Sequence, residues 1–392
     1  MNNQSIASSS RGPPGRNLTV LTKENSFRPA KVFRDAVDAN APRVSEYYPH
    51  SAPSRPQLSS IAFDDSGDSC VTSGEDEAFI IWDARKGTKR KVFYSKKYGI
   101  SHARFTHRAG NIIHASTKGD DHAIRYHSTH DNRYLSYFRG HSGRPIDEAF
   151  VSAGDDGTVR LWDLRTETGT GLINDLGGSV IAAYDNTGEV IAVACADTQI
   201  IMLFSTSAID SGPFFHGRLD DPILATISQP PPKPVFTSIS FSNNGHYILL
   251  GTSSDVHYVL DAYAETVLIL RRLVGHRGFE YDRYGNKDVA PRRGAGGEEV
   301  GWTGDSKWVV SGSSDGSIVA WDLSPPPGQE KLLPTPDNTL RPTTTLRAAD
   351  ATGGPSRAVR ANPRYAVLAV GGDNLSFWLP FKEEDNKAPE GW

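Results

Sequence analysis

The chain has 392 residues, 37% of them hydrophobic and 22% charged, the balance of an ordinary globular protein. Its net charge of -4 argues against bulk affinity for nucleic acid phosphates, which needs a basic surface. No run reaches the roughly 18 apolar residues of a membrane span, and the N-terminus lacks the apolar core of a secretory signal.

In chain order, residues 1–25 are rich in Ser, Asn, Gly and Pro and read as a disordered tail. Ala30 to Arg34, AKVFR, is the first strand candidate, and residues 36–57, with four prolines, read as a loop insert. TSGEDEAFIIWDA follows. It is a strand, a tight turn and a second strand ending in Trp82-Asp83, with Thr72 ten residues and Asp76 six residues before the Trp. STKGDDHAIRYHS places Ser116 and Asp120 at the same offsets, with Tyr126 standing where the Trp should be. FVSAGDDGTVRLWDLR (150–165) is the clearest copy, with Ser152, Asp156 and Trp162 and a Gly140-His141 just upstream.

Weaker copies end at Phe204 and at Leu260-Asp261. The stretch between them, 205–233, reads as irregular, and a Gly- and Arg-rich insert follows at 281–298. SGSSDGSIVAWDL repeats Ser311, Asp315 and Trp321 at the same offsets. A Pro/Thr-rich insert at 324–345 precedes the last copy, which ends at Trp378 with its carboxylate shifted by one residue. Residues 382–392 read as a polar tail.

These are seven copies, separated by 44, 36, 42, 56, 61 and 57 residues. A repeat of about 40–45 residues ending in Trp-Asp is that of a WD-repeat blade. The sequence therefore predicts an all-β fold, a seven-bladed WD-repeat β-propeller spanning residues 26–381. The residue types at fixed offsets make physical sense as a set. A carboxylate accepts from imidazole, imidazole meets a hydroxyl, and the hydroxyl meets an indole N–H; each would be costly to bury alone. Because a strand candidate precedes the first full copy, it is expected to complete the last blade and close the ring.

The third blade is read as one strand short. Only 20 residues separate His141 from Trp162, and SGRPIDEAF contains no apolar run like Ser60-Ile61-Ala62-Phe63. Either the blade lacks its inner strand or the sequence carries a deletion at a mis-predicted exon boundary; the second is favoured, since a missing strand would open the channel wall.

The candidate chemistry reduces to structure in each case. His122, His127 and His130 lie close together, but His122 and His127 would face opposite ways on a strand, so no metal site is expected. Asp120-Asp121 and Asp155-Asp156 fit turn positions better than catalytic pairs. The sequence shows no nucleotide-binding loop and no nucleophile elbow, so neither a cofactor nor enzymatic activity is expected. Cys70 and Cys195 fall in predicted strands, as free buried thiols do. What remains is surface. Lys96, Lys97 and Tyr98, in the loop between blades one and two, share a rim with Lys118, and this is a candidate protein-binding patch.

Several pieces, SFRPAKVFR (26–34), YSKKYG (94–99), RFTH (104–107), DDHAIRYHSTHDNRYLSYFRGHS (120–142), GTVRLWDLRT (157–166), GPF (212–214) and FWLP (377–380), closely resemble the Swd-two family, also called WD repeat-containing protein 82. The resemblance covers roughly residues 26–381. It implies a non-catalytic nuclear scaffold subunit of the Set-one histone lysine methyltransferase complex (COMPASS). Its partners would be the methyltransferase's N-terminal segment and other COMPASS subunits. In fungi it further implies membership of the cleavage and polyadenylation factor, in the phosphatase module that acts in transcription termination. No direct nucleic acid or membrane contact is expected. The alternative is a generic WD-repeat adaptor of another complex, such as a ubiquitin ligase, which usually carries a further recruiting motif. The family's third blade has a strand between the Gly-His-Ser and the Pro that here nearly adjoin, so the shortfall resembles a missing seven-residue piece. The inserts at 36–57, 281–298 and 324–345 also exceed the family pattern.

Overall fold

The computed structural model describes residues 25–41, 56–108, 110–118, 122–142, 151–165, 168–227, 234–279, 297–347 and 349–382. Their strands form seven sheets, antiparallel but for one added edge strand, arranged as the blades of a propeller. Blade one shows the pattern: Leu58–Phe63 innermost, then Ser69–Gly74, Ala78–Asp83 and Thr88–Tyr94 outermost. Its three inner strands are nearly all buried, whereas the outer strand alternates toward solvent and carries Lys89, Arg90 and Lys91. Exposed cations on an outer strand discourage pairing with another chain.

The core is not one mass but a set of apolar seams between neighbouring blades. Between blades one and two lie Val71, Phe79, Phe93, Ala103 and Ile112; between blades three and four lie Val151, Val159, Val180, Ile191 and Val193. Among the described residues the seam between blades two and three is the thinnest. Its buried residues there are Ile113, Ile124, Tyr126 and Phe138 from blade two and Trp162 from blade three, with Leu164 packed against them.

Ring closure follows the sequence reading, although the strand is longer. Asn25–Phe33 pairs antiparallel with Leu375–Lys382, the third strand of the last blade, and so becomes that blade's outermost strand. Phe33 then leans on Trp82 of blade one, ring centroids 4.5 Å apart, so the N-terminal segment ties blade seven to blade one.

Blade three has three strands among the described residues: Val151–Ala153, Val159–Trp162 and Gly169–Ile173. Residues 143–150, the stretch read as too short to supply the inner strand, lie outside the described residues.

Three outer elements depart from the sequence reading. The stretch 205–233 is not wholly irregular: Phe215–Arg218 is the outer strand of blade four. The Pro/Thr-rich insert supplies Thr339–Leu340, which adds to Ile269–Val274 as a parallel fifth strand of blade five, and its end begins the outer strand of blade six, Thr344–Leu346. These pieces are short and mostly half-buried, so no run of apolar alternation marks them.

Candidate functional site

Blade three forms the full hydrogen-bond chain. The Trp162 indole N–H donates to Ser152 Oγ at 2.7 Å, and Ser152 Oγ lies 2.6 Å from His141 Nε2. His141 Nδ1 lies 3.0 Å from Asp156 Oδ2, and Asp156 also accepts from the Ser142 amide and the Thr158 hydroxyl. The order of donors fixes the histidine: Nδ1–H donates to the carboxylate and Nε2 accepts from the serine. Burial holds the His141 pKa below its ordinary value in spite of the carboxylate. Burial alone would raise Asp156, but His141, Thr158 and the Ser142 amide outweigh it and hold it low. An ionised carboxylate is thus kept among donors.

The other sets are rearranged. In blade one Trp82 donates to Thr72 Oγ1 at 2.9 Å, but Asp76 accepts from the Asp38 amide at 2.9 Å, with no imidazole between the two halves. Burial raises Asp76 there, and the amides of Asp38 and Ala78 offset only part of it. In blade two the Tyr126 hydroxyl accepts from Asn111 Nδ2 at 2.6 Å rather than meeting Ser116. Ser116 instead donates to the Ala123 carbonyl and accepts from Arg125. Asp120 lies outside the described residues.

Blade six departs furthest. The Trp321 indole donates to the Val274 carbonyl at 3.0 Å, not to Ser311. Ser311 Oγ lies 3.0 Å from His257 Nε2 and donates to the Gly312 carbonyl. Asp315 accepts from the amide and hydroxyl of Ser317. His276 stacks on His257 at 4.0 Å, nearly parallel, and its Nε2 meets the Ser254 carbonyl. Burial pushes His276 down to about 4 and His257 well below its ordinary value, which keeps the stacked pair neutral. Sequence reasoning missed His276, although Gly275-His276 repeats the dipeptide Gly140-His141 and was the available signal.

The rim residues do come together. The Lys97 ammonium lies 4.9 Å from the centre of the Tyr98 ring, and the Arg125 guanidinium packs under the same ring at 3.7 Å. Tyr98 meets Tyr134 edge-on at 6.4 Å, and Tyr134 contacts Tyr137 at 5.7 Å. Arg139 lies 5.2 Å from the Tyr137 ring, and Lys96 lies 5.8 Å from Tyr94. Lys118 donates to the Lys96 carbonyl, but its charge is spent on Glu77 of blade one. The sequence did not single out Tyr94, Arg125, Tyr134, Tyr137 or Arg139, because the outer strand Arg133–Phe138 meets the rim only in three dimensions.

The channel is bridged by charge. Arg104, on blade two's inner strand, pairs with Glu298 at the entrance to blade six, and Arg360 of blade seven pairs with the same carboxylate at 2.6 Å. Burial would raise Glu298, yet the two guanidiniums hold it low. Its neighbour Glu299 has only the Thr237 hydroxyl as side-chain donor, and burial pushes it up to about 7.

Two segments, 132–163 and 299–322, match the WD domain, G-beta repeat. Over 366 residues the chain is 32% identical to WD repeat-containing protein 82 of Drosophila melanogaster, covering 92% of this chain and 96% of that protein. It is 39% identical over 220 residues to Set1 complex component swd2 of Schizosaccharomyces pombe, covering 54% and 59% of the two chains. COMPASS component SWD2 of Saccharomyces cerevisiae is 29% identical over 330 residues, 82% of this chain and 90% of that one. The chain belongs to the family of WD repeat-containing protein 82.

Proposed function

We propose that the chain is a non-catalytic scaffold subunit of a nuclear Set1-type histone lysine methyltransferase complex, and that it presents the rim of blades one and two to its partners. The observation that carries this reading is similarity along nearly the whole length to a relative of the same family, together with the Set1 complex named for a second relative and COMPASS named for a third. The scaffold reading also fits the channel. A space bridged by Arg104, Glu298 and Arg360 offers ion pairs already satisfied by one another rather than a converging nucleophile and base. Participation in the cleavage and polyadenylation machinery belongs to the same proposal and rests on the family resemblance alone.

Affinity purification of the tagged chain followed by mass spectrometry tests it. Methyltransferase-complex subunits should co-purify, and changing Lys96 and Lys97 together to Ala should deplete them while leaving the melting temperature unchanged. Recovery of ubiquitin-ligase subunits in their place would reject the reading.

A further inference from the structure

We propose that the rim of blades one and two takes an acidic peptide segment of its protein partner, with the segment's carboxylates seated on Lys96, Lys97 and Arg139 and its apolar side chains against Tyr94. This rests on the reading of the rim as a docking surface and deepens it by naming the partner's chemistry.

Charge complementarity carries the argument. Lys96, Lys97 and Arg139 are exposed, and among the described residues none of them is in an ion pair. Glu77, the carboxylate that Lys118 reaches from this rim, is buried and already paired with it. Among the described residues the surface therefore carries an excess of positive charge on a chain whose net charge is -4. The phenol of Tyr98 reports the same field. The hydrogen bond with Lys97 is the largest influence on it, and together with Arg125 it holds the pKa below its ordinary value. Negative charge is thus favoured at this spot.

The rings decide between a peptide and a nucleic acid. A stacking platform for bases needs open aromatic faces. Here Tyr98 has Arg125 against one face and packs edge-on against Tyr134, which in turn leans on Tyr137. The Tyr134 hydroxyl donates to Ser95. Among the described rim residues Tyr94, 62% exposed on the outer strand of blade one, has the most open ring, with the Lys96 ammonium 5.8 Å from its centre. One open ring beside three cations fits an apolar residue among carboxylates better than a run of bases, and tyrosine with arginine is the composition of protein hot spots.

The test is fluorescence anisotropy of the full chain with a labelled peptide of alternating Glu and Phe, against the same peptide with Gln for Glu. The Glu peptide should bind, and binding should weaken with added salt. Changing Lys97 and Arg139 together to Gln should weaken it by about tenfold, each exposed charge pair supplying up to about fivefold. Thermal melts should show the variant folded. Equal binding of the two peptides, an unaffected double variant, or stronger binding of single-stranded oligouridine or of a phosphoserine peptide would overturn the inference. A parallel capture of the methyltransferase's N-terminal segment separates the two levels. Capture that ignores the Lys97/Arg139 change sinks the acidic-segment inference and leaves the docking reading standing; no capture by the parent chain sinks the docking reading itself.

Discussion

Blades three and six carry the same serine, aspartate and tryptophan at the same spacing, yet they come out as opposites. Blade three has the complete hydrogen-bond chain and only three described strands; blade six has four strands and none of that chain. The difference lies in the tether of the histidine. His141 is 11 residues from Ser152, while His276 is 35 residues from Ser311, with the Gly- and Arg-rich insert in between. Once loosened, His276 stacks on His257, and the serine and indole find a histidine and a carbonyl instead. Every buried polar group that a set loses must be satisfied elsewhere, and blade six shows such a substitution carried through.

The largest expected effect tests whether blade six depends on packing rather than on the polar set. Trp321 is fully buried among Leu249, Val259, Val309 and Leu323. Trp321→Ala should cost about 3–5 kcal/mol, since it removes a large buried aromatic. Trp321→Phe should cost far less, because the single bond it breaks is to a backbone carbonyl. Urea denaturation of both variants checks this; equal losses would mean that the indole N–H, not the ring, holds the blade.

Next comes Glu299, which opens blade six. Its folded pKa, about 7, lies above its ordinary 4.5. The group's contribution is therefore fully present below pH 4.5 and is lost as the pH rises through about 7. Glu299→Gln should leave stability at pH 5 nearly unchanged and raise it at pH 8 by on the order of 2 kcal/mol. Melts that show no pH-dependent gap between variant and parent would place this carboxyl in a wetter setting than the structure does.

The two aspartates sharpen the contrast at smaller scale. Asp156 serves His141, Ser142 and Thr158 within a buried chain, whereas Asp315 is exposed and serves Ser317. Asp156→Ala should cost about 1–3 kcal/mol by stranding buried partners, and Asp315→Ala under about 1 kcal/mol. Equal losses in paired denaturation curves would erase the distinction between the blades.

What the sequence made legible follows from where the signals sit. The second and third strands of each blade are buried on both sides and end in Trp-Asp or its variants, so seven blades could be read from SGSSDGSIVAWDL and its copies. The closing strand was legible because an unpaired strand at one end met a blade short of one at the other. Partners that meet only through the closed ring were not. Asp38 reaches Asp76 because the N-terminal segment crosses onto blade one, and Arg104 reaches Glu298 from 194 positions away. The tyrosine cluster was hidden for the same reason: Tyr98 lies in the loop between blades one and two and Tyr134 on blade two's outer strand, and they are joined by Arg125, whose place under the ring no spacing foretells.

The smallest expected effect concerns the thin seam between blades two and three. There blade three contributes Trp162 to a cluster otherwise built by blade two, whereas its seam with blade four has Val151, Ala153, Val159, Leu161 and Ile173. The family resemblance implies a strand after Gly-His-Ser for which the sequence reading finds no room, and blade one's inner strand shows what such a strand supplies: Leu58, Ile61 and Ala62, all buried. Inserting seven residues of alternating apolar character after Arg144 should fill that seam. Burying two or three aliphatic side chains gains about 1.5–3 kcal/mol each, but ordering seven residues costs about 1–2 kcal/mol apiece for the backbone alone. The new ladder hydrogen bonds and the paired edge must cover the remainder, so the net gain should be modest, a rise of a few °C in melting temperature with a higher soluble yield. A thermal melt beside the parent decides it. If the extended chain melts no higher, the interval of 36 residues between Tyr126 and Trp162 is a workable blade length, and the hydrogen-bond chain alone is enough to hold blade three.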